Sequence, residues 1–397
     1  MHLKKLVRTS AGVPWLAVDP TNARPRFWAA AWTESCAIGR SPNTVELHLR
    51  HIAGFYEFCD SRFGRDCLDD AFSRLDARSV LRMLETFQLK IFEKKPITSF
   101  DIQRWDSARK FSCDAAGLLI SQDLNWSAVV DRINSLGSIR PHDQGRIAYA
   151  RALPDETLGE LQEVAHPNSR RNPFKDESIR WRNWLIVNLL LLAGLRRGEL
   201  LLLVSDSLKQ GFSRVERKER YWLNVTTIIE DNRRFTQARI KTVQSNRQVP
   251  CSNSLANLYE TYLAHYRAPD DGHPFLLTSE HGAPLSARSV NKILSQLFNR
   301  FSLEARNRFE EQCGKQRAIS PHDLRHTCAT ARYSEFARRD RDRELVLQRM
   351  RAFFGWSITS DMPDRYARAA IQRDLSEGWD DTFERRLRGL SSTKAPS

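Results

Sequence analysis

Residues 320–326 read Ser-Pro-His-Asp-Leu-Arg-His. Ser320 is a favoured N-cap and Pro321 suits the first helical position, so the stretch predicts a helix that begins here. His322 and Arg325 are three residues apart and therefore share a face near the start of that helix. Free N–H groups and partial positive charge at a helix N-terminus favour a bound phosphate. An H-x-x-R pattern alone is common by chance.

A second basic element follows the longest apolar run of the chain, Trp184 to Leu195. This run is too short to cross a bilayer and predicts a buried helix. Residues 194–199 then read GLRRGE, which places Arg196 at the rim of a core, where its guanidinium could clamp a phosphate. The alternative is that Arg196 or its neighbour pairs with Glu199 and only caps a helix.

Two further elements lie downstream. Lys241 precedes Thr242 and the sequence RQVP at 247–250, and we expect this lysine at the tip of a two-stranded hairpin, where it can reach a cleft. The sequence FGW at 354–356 is followed by Pro363, which predicts a short helix with Tyr366 in its first turns. Taken singly, a hairpin lysine is usually solvated and such a tyrosine is more often a packing residue.

The motifs of this chain resemble, in their order, the catalytic signature of the tyrosine recombinase (phage integrase) family. These motifs are GLRxxE, KT with RxVP, HDLRHT, GW and RYA. Residues 24–137 resemble the family's core-binding domain through weaker motifs. The resemblance implies a mainly α fold with a small antiparallel β-sheet, made of a helical core-binding domain and a mixed α/β catalytic domain. Trp356 stands where His is commoner and can donate but not accept a proton. The gap from Trp356 to Tyr366 is also one residue longer than usual.

The resemblance implies a site-specific DNA recombinase in which Tyr366 attacks a phosphodiester and forms a 3′-phosphotyrosine. Arg196 and Arg325 then stabilise charge on the phosphate oxygens, and Lys241 protonates the departing 5′-oxygen. His322 accepts the tyrosine proton or donates to a phosphate oxygen. Since the phosphotyrosine conserves the energy of the cleaved bond, no metal and no nucleotide cofactor is expected.

The remaining site residues have supporting roles, and two other functions stay open. Trp356 is expected to supply an N–H group and packing, and Glu199 to orient its neighbours rather than transfer protons. A type IB topoisomerase would use the same residues to relax DNA. A non-catalytic DNA-binding regulator would keep the basic charge without the full catalytic set.

The net charge and the cysteine usage limit which binding partners and which cellular compartment we expect. Lys and Arg number 62 against 48 acidic residues, a net charge of +14 that favours a polyanionic partner. The seven cysteines are scattered without a C-x-x-C pair, which argues against zinc and disulfides and suits a reducing cytosol. We therefore expect a cytoplasmic protein without a membrane segment. The resemblance further implies that the partners are double-stranded DNA recombination sites, bound as a homotetramer, and that the role is mobile-element integration or excision.

Composition and periodicity, together with the resemblance, predict five segments: an arm at 1–22, a helical core-binding domain at 23–137, a linker at 138–152, a catalytic domain at 153–390 and a tail at 391–397. Ser41 and Pro42 predict a helix start, and apolar residues at three- and four-residue spacing follow: Val45, Leu49, Ile52, Tyr56 and Cys59. Further helices are expected near 77–93, 97–121 and 126–136, strands at 221–229, 234–241 and 247–250, and insertions or loops at 166–182 and 302–318.

An apolar residue recurs every fourth position after the proposed nucleophile: Ile371, Leu375, Trp379, Phe383 and Leu387. Such an apolar stripe favours binding in a hydrophobic groove. It can fold back on its own domain, or it can dock on a neighbouring protomer as the resembled family does, and the sequence leaves both open.

Overall fold

The computed structural model describes residues 2–5, 15–19, 21–138, 152–214, 217–226, 246–267, 272–313 and 318–377. The chain divides into two compact units, Met1–Arg146 and Ile147–Ser397. The fold is mainly helical with small antiparallel sheets, which confirms the predicted fold class. Within the described ranges, no helix combines the length and the apolar character that crossing a membrane requires.

The first unit contains these elements: β1 (His2–Lys5), β2 (Trp15–Val18), α1 (Phe27–Ser35), α2 (Pro42–Phe63), α3 (Cys67–Ser73), α4 (Ala77–Phe92), α5 (Ser99–Leu119) and α6 (Asn125–Ser135). The predicted helix start is confirmed, since the Ser41 side chain accepts a hydrogen bond from the N–H of Thr44. The predicted apolar face of α2 is also confirmed, because its five residues are each at most 1% exposed. They hold α2 in the core of the unit.

Within the arm that we expected to be loose, the described residues 2–5 and 15–18 form paired strands. Strands β1 and β2 pair antiparallel, with Leu3 opposite Ala17. Ala17 and Val18 are buried, so β2 is part of the first unit's structure and not a free arm. Four-residue strands carry too little alternation to reveal themselves in a sequence.

A buried arginine ties β2 to the helices beside it. Arg26 is 4% exposed, and its guanidinium contacts the carboxylates of Asp19 at 3.3 Å and Asp60 at 2.5 Å. A third contact joins it to Asp66, the N-cap of α3. Since Asp19 directly follows β2 and Asp60 lies in α2, this single cation holds three segments together.

The second unit contains helices and one three-stranded sheet: α7 (Asp155–Ala165), α8 (Glu177–Leu192), α9 (Arg197–Leu202), β3 (Leu208–Ser213), β4 (Lys218–Val225), β5 (Arg247–Cys251), α10 (Asn253–Thr261), a π-helical turn (Tyr262–Tyr266), α11 (Ala287–Phe298), α12 (Leu303–Cys313), α13 (Pro321–Arg339), α14 (Arg343–Phe354) and α15 (Met362–Glu377). The sheet is antiparallel in the order β3–β4–β5. Every residue from Leu185 to Leu191 is buried, which confirms the predicted buried helix. The end of α8 therefore emerges from the middle of the core.

Two segments that we expected to be loops are partly helical. Within 166–182, α8 begins at Glu177, and the Asp176 side chain caps it by accepting from the N–H of Ile179 at 2.9 Å. Within 302–318, α12 buries one residue in every four: Ala305, Phe309 and Cys313. The charged residues between them dominate the composition and hide this stripe.

The small sheet is confirmed, although its strands differ from the predicted ones. The predicted strand at 221–229 overlaps β4, and that at 247–250 overlaps β5. Strand β3 was missed because its sequence, LKQGFS, lacks an apolar alternation. The predicted strand at 234–241 lies outside the described residues.

Candidate active site

The site begins where α8 ends, at a glycine that no other residue can replace without strain. Gly194 has φ +58°, a left-handed conformation that disfavours side chains. A Cβ atom there would also lie 2.4 Å from a ring carbon of Phe354 and 3.0 Å from the Cys328 sulfur. Gly194 therefore lets the chain leave the core while touching α13 and α14, and it delivers Arg196 beside them.

A buried carboxylate forms the centre of the site. Glu199, in the first turn of α9, is 1% exposed. It accepts hydrogen bonds from the backbone N–H of Arg196 at 2.8 Å and from the Nη1 of the same residue at 2.6 Å. The expected alternative, pairing of Arg196 with Glu199, is thus present, but it is one part of a larger cluster.

Arg247 is the second arginine of this cluster, and we did not select it from the sequence. Its Nη1 and Nη2 each donate to one oxygen of Glu199 at 3.1 Å, and its Nε donates to the carbonyl of Phe353 at 2.7 Å. A signal was available, since Arg247 lies two residues before the buried Val249 in β5 and so shares its face. An arginine on the buried face of a strand needs an internal partner.

Arg325 is the third arginine, and α13 carries it. The predicted start of α13 is confirmed, with Ser320 as its N-cap and Pro321 at its first position. Arg325 donates to the carbonyls of Gly194 and Phe354, and its Nη1 lies 3.5 Å from the Glu199 carboxylate. Burial lowers the pKa of Arg325 to about 9, with Glu199 opposing the shift and the neighbouring arginines adding to it.

The charges in this cluster do not cancel. Burial alone would raise the pKa of Glu199, but Arg247, Arg325 and Arg196 outweigh it and hold that pKa below its ordinary value. The carboxylate is therefore ionised at neutral pH. One negative charge among three guanidinium groups leaves an excess of positive charge, which is what an anion site requires.

The predicted nucleophile lies in a row of stacked rings. The Tyr366 ring is parallel to that of Trp356, with centroids 5.3 Å apart and planes 7° apart. Its other neighbour is His326, at 5.3 Å, whose ring in turn contacts that of His322 at 4.3 Å. Tyr366 is 4% exposed and lies in the first turns of α15, which begins at Met362. These rings fix the direction of the phenol.

A cavity of about 670 Å³ joins the arginines to the tyrosine. Its wall consists of Arg196, Arg197, Asn291, Ser320, Pro321, His322, Arg325, Gly355, Trp356, Ser357, Ser360, Met362 and Tyr366. The structure thus brings together five of the six residues selected from the sequence. The sixth, Lys241, lies outside the described residues. No carboxylate is among these wall residues, so the wall that the structure describes suits an anion.

Several wall residues were not selected from the sequence. The hydroxyls of Ser357 and Ser360 and the amide of Asn291 follow no motif, and only the fold places them here. His326 directly follows Arg325 and belonged to the quoted stretch, but only the observed ring contacts single it out. In the part of the chain that the structure describes, no group of three or more His, Cys, Asp or Glu side chains is arranged to hold a metal ion.

Comparison with known proteins agrees with the motif order. Residues 164–338 match the model of the phage integrase family. The crystal structure of XerA recombinase is similar at 14% identity and a TM-score of 0.37, covering 89% of this chain and 98% of that one. XerH site-specific recombinase, bound to its difH substrate, is similar at 15% identity and a TM-score of 0.40, covering 89% and 93%. No curated protein matches the chain.

The family match contains Arg196, Glu199, His322 and Arg325, and it ends before Trp356 and Tyr366. These last two residues are tied to the others by the cavity that they share. Residues 164–338 therefore carry a phage integrase family domain, the domain of tyrosine recombinases.

Proposed function

We propose that this recombinase cleaves and rejoins DNA through a covalent 3′-phosphotyrosine at Tyr366. The observation that carries the proposal is the shared cavity, in which a tyrosine and an excess of guanidinium groups face the same space. An electron-rich phenol and fixed cations are the two requirements for attack on a phosphodiester without a metal ion.

In the proposed cleavage step, the phenol oxygen of Tyr366 forms a bond to the scissile phosphorus, and the bond from phosphorus to the 5′-oxygen breaks. The phenol proton passes to His322, or to a water that His322 orients. The departing 5′-oxygen takes a proton from Lys241, a role that comes from the motif alone. Rejoining reverses each transfer, so the step needs no nucleotide and no external energy source.

Arg196 and Arg325 are proposed to bind the non-bridging oxygens, on which negative charge grows in the transition state. Both are held before the substrate arrives: Arg196 by Glu199, and Arg325 by the carbonyls of Gly194 and Phe354. A preorganised donor of this kind contributes roughly 10²–10³ in rate. Trp356 is proposed to hold the Tyr366 ring by stacking and to donate its N–H to the phosphate.

The proposed substrate is a pair of double-stranded DNA recombination sites, and the proposed assembly on them is a homotetramer. Exchange between two duplexes needs four strand cleavages, and one nucleophile per protomer then requires four protomers. The net charge of +14 supports binding to the DNA backbone. Movement of a mobile element in the cytoplasm, by integration or excision, is the role proposed for this reaction. The stripe that starts at Ile371 is the candidate link between protomers, and its part beyond residue 377 lies outside the described residues.

The test is to trap the covalent intermediate. A duplex enriched from a random library by binding to the full-length protein is nicked near its scissile phosphate, so that the released fragment diffuses away. With EDTA present and ATP absent, the unaltered protein should form a DNA adduct that survives detergent, and Tyr366→Phe should form none. Tyr333→Phe, in α13, is the matched control and should keep the adduct. An adduct on Tyr333 or on a serine, or cleavage that requires a metal ion, contradicts the proposal.

A further inference from the structure

One guanidinium on the cavity wall is not part of the Glu199 cluster. Arg196 and Arg325 contact Glu199, and Arg247 lies behind them with its donors on Glu199 and Phe353. Arg197 also lines the cavity, but it is exposed and makes no ion pair with any residue that the structure describes. A long cationic side chain without an internal partner retains all five of its donors for a ligand.

The cavity is larger than one phosphate requires. A volume of about 670 Å³ is in the range that holds a drug-sized molecule, several times the size of a single phosphate group. Under the proposed function, the scissile phosphate binds near Arg196, Arg325 and Tyr366 and fills only part of this volume. The space next to Arg197 is then left for another part of the same DNA strand.

The backbone directs the two adjacent arginines to different places. Arg196 is the extended N-cap of α9, and its side chain turns back to the buried carboxylate of Glu199. Arg197 is the first residue of α9 and is exposed to solvent. Their Cα atoms are about 3.8 Å apart, so the two side chains can reach two neighbouring groups of one strand.

From this arrangement, and on the basis of the proposed function, we propose that Arg197 binds the DNA phosphate next to the scissile phosphate on the cleaved strand. The cavity then grips two consecutive phosphates, one through the Glu199 cluster and one through Arg197. Such a grip fixes the register of the strand, so that the scissile phosphorus lies opposite the Tyr366 oxygen. Arginine suits this task because its planar group can donate two parallel bonds to one phosphate.

The experiment measures binding, so it does not depend on cleavage. Full-length Tyr366→Phe protein, with or without Arg197→Ala, is titrated with the enriched duplex at several salt concentrations. Loss of Arg197 should weaken binding roughly tenfold and should lower the slope of log affinity against log salt by about one. Arg170→Ala removes an equally exposed arginine of the same unit that is not on the cavity wall, and it should change binding much less. Arg197→Lys should keep the salt slope and recover part of the affinity.

A second set of duplexes identifies the phosphate. Each carries one neutral methylphosphonate in place of one phosphate near the cleavage position. The effect of Arg197→Ala should disappear when the phosphate adjacent to the scissile one is neutral, and should persist for the others. An effect that persists on every duplex, or a changed preference for one base pair with an unchanged salt slope, overturns the proposal in favour of another contact. If the unaltered protein forms no covalent adduct, the proposed function fails, and these binding data still report on Arg197.

Discussion

Each unit of the protein contains a buried ion cluster, and the two clusters have opposite compositions. In the first unit, one arginine, Arg26, contacts three carboxylates. In the second, one carboxylate, Glu199, contacts three arginines. Both central side chains are at most 5% exposed. The clusters have the same number of partners and differ in the sign of the charge that is left over.

The sign of that excess decides what each cluster can do. Around Arg26 the excess is negative, and it is reduced by Arg65, which contacts Asp19 at 3.2 Å and Asp66 at 3.7 Å. Solvent reduces it further, since the Asp60 and Asp66 side chains are 25% and 49% exposed. That cluster holds three segments of the first unit together. Around Glu199 the excess is positive and opens on a cavity whose described wall has no carboxylate. Both clusters enclose their minority charge most deeply, and they differ in that the excess charge of the second faces a cavity.

The largest effect is expected from Glu199→Gln, which removes the minority charge of the second cluster. Three partly or fully buried guanidinium groups then repel one another without compensation. We expect the second unit to lose about 3–5 kcal/mol of unfolding free energy, and formation of the covalent adduct to fall by roughly 10²–10³ as Arg196 and Arg325 lose their positions. Hydrogen exchange in the intact chain reads the stability of each unit separately.

Glu335→Gln is the matched control for this change. Glu335 lies on α13 and pairs with Arg332 and Arg339 near the surface, where an ion pair is worth about 0–1 kcal/mol. A loss no greater in Glu199→Gln than in this control would show that the buried cluster has no special role.

A smaller effect is expected from Arg26→Met, which removes the minority charge of the first cluster. Its partners Asp60 and Asp66 can turn to solvent, so the first unit should lose about 1–3 kcal/mol. The second unit should keep its protection in the same exchange experiment. Arg50→Met removes an exposed pair with Glu46 and serves as the control, with little change. Equal losses in the two units would contradict the difference between the clusters.

The smallest effect is expected when the pH is lowered. Glu199 has a folded pKa below its ordinary 4.5, so its stabilisation is complete above pH 4.5 and is lost as the pH falls through the folded pKa. The difference in unfolding free energy between the unaltered protein and Glu199→Gln should therefore shrink below that pH, by at most about 1.4 kcal/mol per pH unit.

Stability that depends on Asp69, in the first unit, should change with pH in the opposite direction. Burial raises its pKa above the ordinary 3.8, against the hydrogen bond that it accepts from Tyr56. Its contribution is complete below pH 3.8 and is lost as the pH rises through the raised pKa. Asp69→Asn should thus gain stability relative to the unaltered protein as the pH rises through this window. A pH dependence of the same direction in both variants would contradict the opposite pKa shifts of Glu199 and Asp69.

Local signals in the sequence were enough for much of the fold. The caps at Ser41 and Ser320 and the apolar face of α2 each involve residues within a few positions of one another, and the structure confirms them. Elements that depend on distant pairing were missed or misread, among them β1 with β2, and β3 with its neighbour. The predicted domain bounds stay predictions.

The order of the motifs in the sequence indicated which residues belong to the site, but the sequence did not reveal the contacts between them. The residues that meet at the cavity were selected from the family resemblance, and their catalytic roles stay predictions. The bond between Glu199 and Arg247 spans 48 positions, so neither helix periodicity nor capping could reveal it. Sequence reasoning could place charges on elements, but only the tertiary fold shows which charge is enclosed by the others.

The glycine that ends α8 has a consequence for protein engineering. Replacing glycine with alanine is a common route to higher thermal stability, because it restricts the unfolded chain. At Gly194 the same replacement meets Phe354 and Cys328 and forces a left-handed alanine, so it should displace the very backbone that carries Arg196. Gly117 in α5 and Gly159 in α7 have open space for an added methyl group, and each offers about 0.5–1 kcal/mol. A thermostable version of this protein should be built from those two helical glycines, with Gly194 at the end of α8 left as it is.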